Sequence, residues 1–143
     1  MLIDTNIITV QRFPDPVVEE WGATAQSLYA EMFWLPVVGP TALLTFRRLN
    51  LLLTGVDELD VDLNELAGQM GLAFAPRQQS AFTRSMHRLI MFGLAYQPLG
   101  SNRLQVRQFV PSVPLRHQKR WSPALIAMHD QHVMGQRAER ATI

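Results

Sequence analysis

The sequence contains no cysteine among its 143 residues. This absence excludes disulfide bonds, thiolate-bound zinc and a cysteine nucleophile. Long apolar runs are missing too: the stretch 33–38 is far shorter than the roughly 20 residues that a membrane-spanning helix needs. Asp4 and polar neighbours stand where a signal peptide would place basic and then apolar residues. These absences favour a soluble cytoplasmic protein, and we expect no membrane partner.

Acidic side chains are absent from one long internal stretch, residues 76–121. Residues 1–75 hold ten acidic and three basic side chains, so the two parts of the chain differ sharply in charge. A locally basic surface attracts polyanions, because electrostatic potentials fall off within about 10 Å at moderate salt. The asymmetry therefore indicates a surface for nucleic acid phosphates, and the competing explanation is a chance cluster of solvated arginines. The cations of this stretch are Arg77, Arg84, Arg88, Arg103, Arg107, Arg116, Lys119 and Arg120.

Helical patterns fill the first part of the chain. Apolar spacing predicts a short helix over 23–33 and a strongly apolar helix over 40–54, which begins at a proline and ends at a glycine. Asp62 and Glu65 have the spacing of a capping box, which predicts a helix over 63–70. A basic amphipathic helix over 77–92 follows, with an apolar stripe on one side and a polar face on the other.

The remaining segments contain strand, turn and helix signals. Segments 94–96 and 104–109 have strand-like composition on either side of Pro98–Asn102, which predicts a hairpin. Ser122 and Pro123 are suited to begin a last helix that ends near Val133. We expect residues 1–22 to form an N-terminal arm, residues 23–133 one domain with flanking helices, and residues 134–143 a flexible tail.

This order of elements predicts a mainly α fold with a small β-hairpin: a winged helix-turn-helix with extra N- and C-terminal helices. Residues 63–72 resemble the second helix and turn of winged-helix regulators, and residues 88–94 resemble the end of a recognition helix entering the wing. The stretches 15–18, 33–40 and 110–115 resemble an uncharacterised family of small actinobacterial and actinophage proteins. That resemblance covers about residues 15–133 and implies the same winged-helix fold, but no biochemical activity.

In such a fold the helix over 77–92 would enter the DNA major groove and the hairpin tip would reach nearby phosphates. Arginine and glutamine side chains can pair with guanine and adenine edges. We therefore predict a regulator or accessory factor that binds double-stranded DNA as a homodimer. The predicted contacts are Arg77, Gln78, Gln79, Ser80, Thr83, Arg84, His87, Arg88, Asn102, Arg103 and Arg107.

Several alternatives stay open at this point. The same module could bind an acidic protein instead of DNA, and the position of Met91 on the polar face of the basic helix favours this. The segment 116–120 is either a further phosphate contact or an exposed linker. His129 and His132 have a spacing that suits one metal ion, but zinc requires three or four protein ligands, so a surface helix is the better interpretation. No catalytic constellation is recognisable, and we predict no enzyme activity, cofactor or metal.

Overall fold

The computed structural model describes residues 3–141, which fall into two units, residues 3–112 and residues 113–141. The first unit contains six β-strands among its described residues: β1 Ile7–Arg12, β2 Ala23–Thr24, β3 Glu58–Asp62, β4 Ala95–Tyr96, β5 Arg103–Val106 and β6 Phe109–Val110. β1 lies in the interior of a four-stranded sheet of order β3-β1-β5-β4, where it is antiparallel to β3 and parallel to β5. A second, two-stranded sheet joins β2 to β6.

Five helices accompany these strands in the described part of the first unit. A π-helical turn, Ala30–Trp34, leads directly into α2. α5 begins at Ala81, later than the predicted start at 77, because Ser80 caps it. The helices are α1 Pro16–Trp21, α2 Leu35–Val38, α3 Pro40–Leu52, α4 Leu63–Gln69 and α5 Ala81–Met91.

The core forms between α3, α5 and the inner face of the large sheet. Phe46 and Leu49 of α3 are fully buried, as its apolar circumference predicts. Phe82 and Leu89 of α5 are buried as well. In β1, the buried Ile8 and Val10 alternate with outward-facing polar residues, which is the period-two pattern of a half-buried strand. Burial of these side chains is the main force that holds the sheet against the two helices.

The predicted fold class is wrong. About half of the residues are helical and about 15% are in strands, and a mixed sheet of four strands makes this an α/β fold, not a mainly α fold with a small hairpin. The hairpin itself exists, since β4 and β5 are antiparallel. The sheet is larger because β1 lies in its interior and the acidic segment 58–62, which we did not predict as a strand, pairs with β1. Within the expected arm, residues 1–22, the segment 7–12 forms β1 and lies inside this sheet.

The second unit begins with a short 3₁₀ turn, Leu115–His117, and continues with α6, Pro123–Ala141. The Ser122 hydroxyl accepts a hydrogen bond from the Leu125 amide at 3.2 Å, which confirms the predicted N-terminal cap. α6 continues past Val133 and through most of the stretch that we expected to be a flexible tail. Residues 142 and 143 of that tail, and residues 1 and 2 of the arm, lie outside the described residues.

None of the helices within residues 3–141 has both the length and the apolar character that crossing a bilayer requires.

Candidate nucleic-acid-binding surface

α5 presents one face to the core and the opposite face to solvent. Ser80 begins the helix: its hydroxyl accepts a hydrogen bond from the Thr83 amide at 3.1 Å. Phe82, Met86 and Leu89 face the core. The exposed stripe at helical spacing consists of Ala81, Arg84, Arg88 and Met91.

Two of the predicted contacts serve the helix itself. Thr83 is fully buried, and its hydroxyl lies 2.9 Å from that of Ser80. It therefore cannot reach a base edge. Ser80 is half-buried and is engaged as the cap. His87 is half-buried, and its Nδ1 is buried without a hydrogen-bond partner among the described residues.

Arg88 binds the end of a neighbouring helix. Its Nε donates to the carbonyl of Val38 at 2.7 Å and its Nη2 to the carbonyl of Val37 at 3.1 Å. These carbonyls close α2, where helix geometry leaves acceptors without an internal partner. The guanidinium also lies over the Phe92 ring, 5.7 Å from its centroid. Arg88 therefore joins α5 to α2 and has little capacity left for a phosphate.

Arg107 holds the chain that leads into α1. Its Nη1 donates to the Asp15 carboxylate at 2.7 Å and its Nε to the Gly93 carbonyl at 2.8 Å. The guanidinium also lies 4.8 Å from the centroid of the Phe13 ring. The hydrogen bond from Arg107, supported by the Val18 amide, lowers the pKa of Asp15 below its usual value. Arg107 is thus committed to three partners within the protein.

Arg103 and Asn102 lie at the end of the hairpin. Arg103 forms an exposed ion pair with Glu58 of β3 at 3.3 Å. Because Glu58 belongs to the acidic first half of the chain, this contact neutralises part of the predicted basic surface. The Asn102 carbonyl accepts a hydrogen bond from the Thr9 amide at 3.0 Å, and the residue is exposed.

Arg77 and Arg84 differ from every other arginine of the first unit. Neither side chain has a hydrogen-bond or ion-pair partner among residues 3–141, and both residues are exposed. Arg77 has a φ of 62°, the one non-glycine residue with positive φ in the described chain. Its amide donates to the Ile3 carbonyl at 2.7 Å, which holds this left-handed conformation in place. Gln78 and Gln79, also exposed, lie between the two arginines in the chain.

The other arginines of this unit are all engaged. Arg12 donates to the carbonyls of Val56 and Leu53, Arg47 pairs with Glu31, and Arg48 donates to Gln69. With Arg88, Arg103 and Arg107, six arginines have partners. The two that do not are the two that flank the beginning of α5.

A cleft of about 330 Å³ adjoins Arg84. Arg84 and Arg88 line one side, and Gly39, Pro40 and Thr41 line the other. The latter residues begin α3, whose N-terminus has no side-chain cap. Free amides at a helix N-terminus and an arginine on the same cleft both favour a negative charge.

Apolar side chains are exposed on the same part of the chain. Met91 is 60% exposed and Tyr96 52% exposed, and Leu99 at the hairpin tip is fully exposed. The predicted polar face of α5 is thus exposed at Arg84 and Arg88, whereas the last turn of the helix exposes the apolar Met91.

The second unit contains the remaining cations of the acid-free stretch 76–121. Arg116, Lys119 and Arg120 are exposed. Burial, together with the neighbouring charge of Arg116, lowers the pKa of His117.

His129 is buried and contacts the Trp121 ring, with centroids 5.4 Å apart. Burial first, and His132 second, lower the pKa of His129. No group of three metal-ligating side chains occurs in the described part of the chain.

Comparison with known proteins found no match: no family model, curated protein or solved structure resembles this chain. The resemblance to small actinobacterial and actinophage proteins therefore stays a prediction, and so does the absence of enzyme activity.

Proposed function

We propose that the protein binds double-stranded DNA through the beginning of α5, with Arg77 and Arg84 as its principal cations. The observation that carries the proposal is the selective pairing of the arginines. Six of them are engaged by carboxylates, amides or carbonyls, whereas the two at the start of α5 are exposed and free of partners among residues 3–141. Unpaired guanidinium groups gain most from a phosphate, since no internal contact is lost.

The neighbouring residues support recognition of sequence as well as charge. Gln78 and Gln79 are exposed beside the free arginines, and glutamine pairs with adenine as arginine pairs with guanine. We therefore propose the role of a transcriptional regulator or accessory factor. Within the predicted set we propose Arg77, Gln78, Gln79, Arg84 and Asn102 as the contacts. His87 is half-buried, and Ser80, Thr83, Arg88, Arg103 and Arg107 have internal partners.

Fluorescence anisotropy with a labelled DNA duplex of about two helical turns tests this proposal. Affinity should fall about tenfold between about 50 and 200 mM salt if Arg77 and Arg84 each neutralise one phosphate, and more steeply with each further phosphate contact. The double variant Arg77→Gly, Arg84→Ala should bind at least tenfold more weakly and reduce the salt slope by about two. The double variant Arg48→Ala, Arg103→Ala removes the same charge from paired positions and is the matched control. Equal losses in both variants, or an affinity that is independent of salt, would contradict the proposal.

A second candidate function is binding to a protein. The exposed Met91, Tyr96 and Leu99 favour it, because aromatic side chains and methionine are enriched at protein interfaces. In a pull-down from cell extract, wild-type protein should then retain a stoichiometric partner that the variant Met91→Ser, Leu99→Ser loses. Purified protein with a high ratio of absorbance at 260 to 280 nm would favour nucleic acid instead. The predicted homodimer stays a prediction that light scattering can test.

A further inference from the structure

β3 forms one edge of the four-stranded sheet and pairs only with β1 within the described residues. Arg12 donates its amide to the Asp57 carbonyl at 3.1 Å, and Leu63 donates its amide to the Asn6 carbonyl at 2.7 Å. In an antiparallel pair, alternate residues direct their backbone groups to the partner strand. The backbone groups of Glu58, Asp60 and Asp62 therefore point away from β1, toward the open edge.

The side chains of the same three residues make this edge acidic. All three are exposed. On the outer face of the sheet Glu58 accepts from Gln11 at 2.6 Å and Asp60 accepts from Thr9 at 2.7 Å. Glu58 also pairs with Arg103 at 3.3 Å, and the Asp62 carboxylate caps α4 by accepting from the Asn64 amide at 3.0 Å. Asp60 is therefore the carboxylate of this row that has neither a cation nor a cap contact among residues 3–141. The backbone groups of the open edge thus belong to residues whose side chains form an acidic row.

This row decides which kind of strand can pair with β3. Two copies of β3 in antiparallel contact would place carboxylates opposite carboxylates, and like charges directly opposite destabilise a strand pair. A second copy of this chain is therefore a poor occupant. A strand that places lysine or arginine opposite Glu58, Asp60 and Asp62 has complementary charge.

The opposite face of the edge is apolar. A cleft of about 160 Å³ lies beside β3, with Leu52, Leu59 and Leu66 among its lining residues. Asp60, Asp62 and Glu65 also line it. A strand that added to β3 would alternate its side chains between the acidic face and this cleft. The occupant therefore has basic residues at every second position and aliphatic residues between them.

We propose that β3 is a docking strand for an extended segment of a partner protein in which basic and aliphatic residues alternate. Binding occurs by addition of a strand to the open edge: backbone hydrogen bonds provide affinity, and the acidic row and the apolar cleft provide specificity. The opposing explanation is that the carboxylates only prevent edge-to-edge aggregation. This proposal is independent of DNA binding by α5.

The test uses the full chain and a capped synthetic peptide of alternating lysine and valine. In antiparallel pairing each lysine lies opposite an acidic residue and exchanges hydrogen bonds with it. A second peptide, in which the backbone nitrogens of the lysines are methylated, has the same charge but lacks the backbone N–H donors. Amide hydrogen exchange at Glu58, Asp60 and Asp62 should slow about tenfold or more with the first peptide. The methylated peptide should bind about tenfold more weakly.

Variants of the protein separate pairing from general attraction. Asp60→Lys should abolish binding of the plain peptide, and the milder Asp60→Asn should weaken it severalfold. Glu20→Lys makes the same charge change on the exposed surface of α1 and should leave binding within about twofold. Equal binding of the two peptides, or equal effects of Asp60→Lys and Glu20→Lys, would overturn the proposal. It would also be overturned if the three amides already exchange slowly without peptide because the protein dimerises through β3.

Discussion

The beginning of α5 and the outer face of the large sheet both contain arginines from the basic part of the chain, yet they differ in how these arginines are used. On the sheet, Arg103 is paired with Glu58, and the neighbouring Gln11 and Thr9 are bonded to carboxylates. At the beginning of α5, Arg77 and Arg84 have no such partners among residues 3–141.

The comparison shows that the composition of a segment and the charge it offers to a ligand are different quantities. Residues 76–121 contain no acid, but the fold brings acids to them from residues 15 and 58. A guanidinium that already binds a carboxylate must lose that contact before it gains a phosphate. Only cations without such a partner attract a phosphate with their full charge.

The largest expected effect on DNA binding is the difference between one arginine variant in each region. Arg84→Ala should weaken DNA binding by roughly tenfold to a hundredfold, because it removes a free guanidinium. Arg103→Ala should change the dissociation constant by less than about twofold, because Glu58 already neutralises that charge. Anisotropy titrations of both variants at one salt concentration measure the difference. A larger effect of Arg103→Ala would move the binding surface to the sheet.

For the free energy of unfolding we expect the opposite: the arginine with internal partners, Arg88, should matter more than the unpaired Arg84 of the same helix. Arg88→Ala removes two charge-assisted hydrogen bonds to the end of α2 and should lower the free energy of unfolding by about 2 kcal/mol. Arg84→Ala should change it by less than about 0.5 kcal/mol. Urea unfolding of the two variants provides the measurement. If both lose the same amount, the assignment of Arg88 to structure and Arg84 to binding fails.

Substitution of Arg77 should have smaller effects, and they should differ in sign: weaker DNA binding but equal or higher stability. Its φ of 62° is unfavourable for any residue with a Cβ atom. Arg77→Gly should therefore maintain stability or raise it by roughly 0.5 kcal/mol, since relief of strain offsets the greater entropy of the unfolded chain. The same variant should weaken DNA binding. Arg77→Ala retains the strain and is the control: it should bind as weakly as Arg77→Gly but should not be more stable.

The smallest effect concerns the contact between Asp15 and Arg107. The pKa of Asp15 is lowered in the folded protein, so this carboxylate stabilises the fold above its unfolded pKa of about 3.9, and the contribution disappears as the pH falls through the folded pKa. Between about pH 5 and pH 3 the wild type should lose slightly more stability than Asp15→Asn. Urea unfolding across this range tests the difference, and parallel curves would show that the contact is too exposed to matter.

Local signals in the sequence predicted several elements well. The helix predicted over 40–54 is α3, Pro40–Leu52, and the Asp62 carboxylate caps α4 as predicted, accepting from the Asn64 amide at 3.0 Å. Such signals lie within a few residues of one another. Glu65 was expected to complete a capping box, but its carboxylate accepts from Gln69 instead.

The sheet and the arginine partners were missed for a common reason. β1 pairs with β5, whose register joins Val10 to Leu104, and no local pattern records such a distant pairing. Arg107 and Asp15 are 92 residues apart in the chain, and Arg103 and Glu58 are 45 apart. One signal was present: in 58–62, acids alternate with Leu59 and Val61, which is the period of a strand.

The interior position of β1 has a consequence for how the protein is made. β1 leaves the ribosome well before β5, one of its two neighbours, which ends only at Val106. Until that neighbour emerges, one side of β1 has no native partner, and Ile8 and Val10 lack the completed core that buries them. Non-local pairing of this kind slows folding. We therefore expect chains stalled before β5 has emerged from the ribosome to depend on chaperones, whereas chains that expose all of β5 should resist proteolysis.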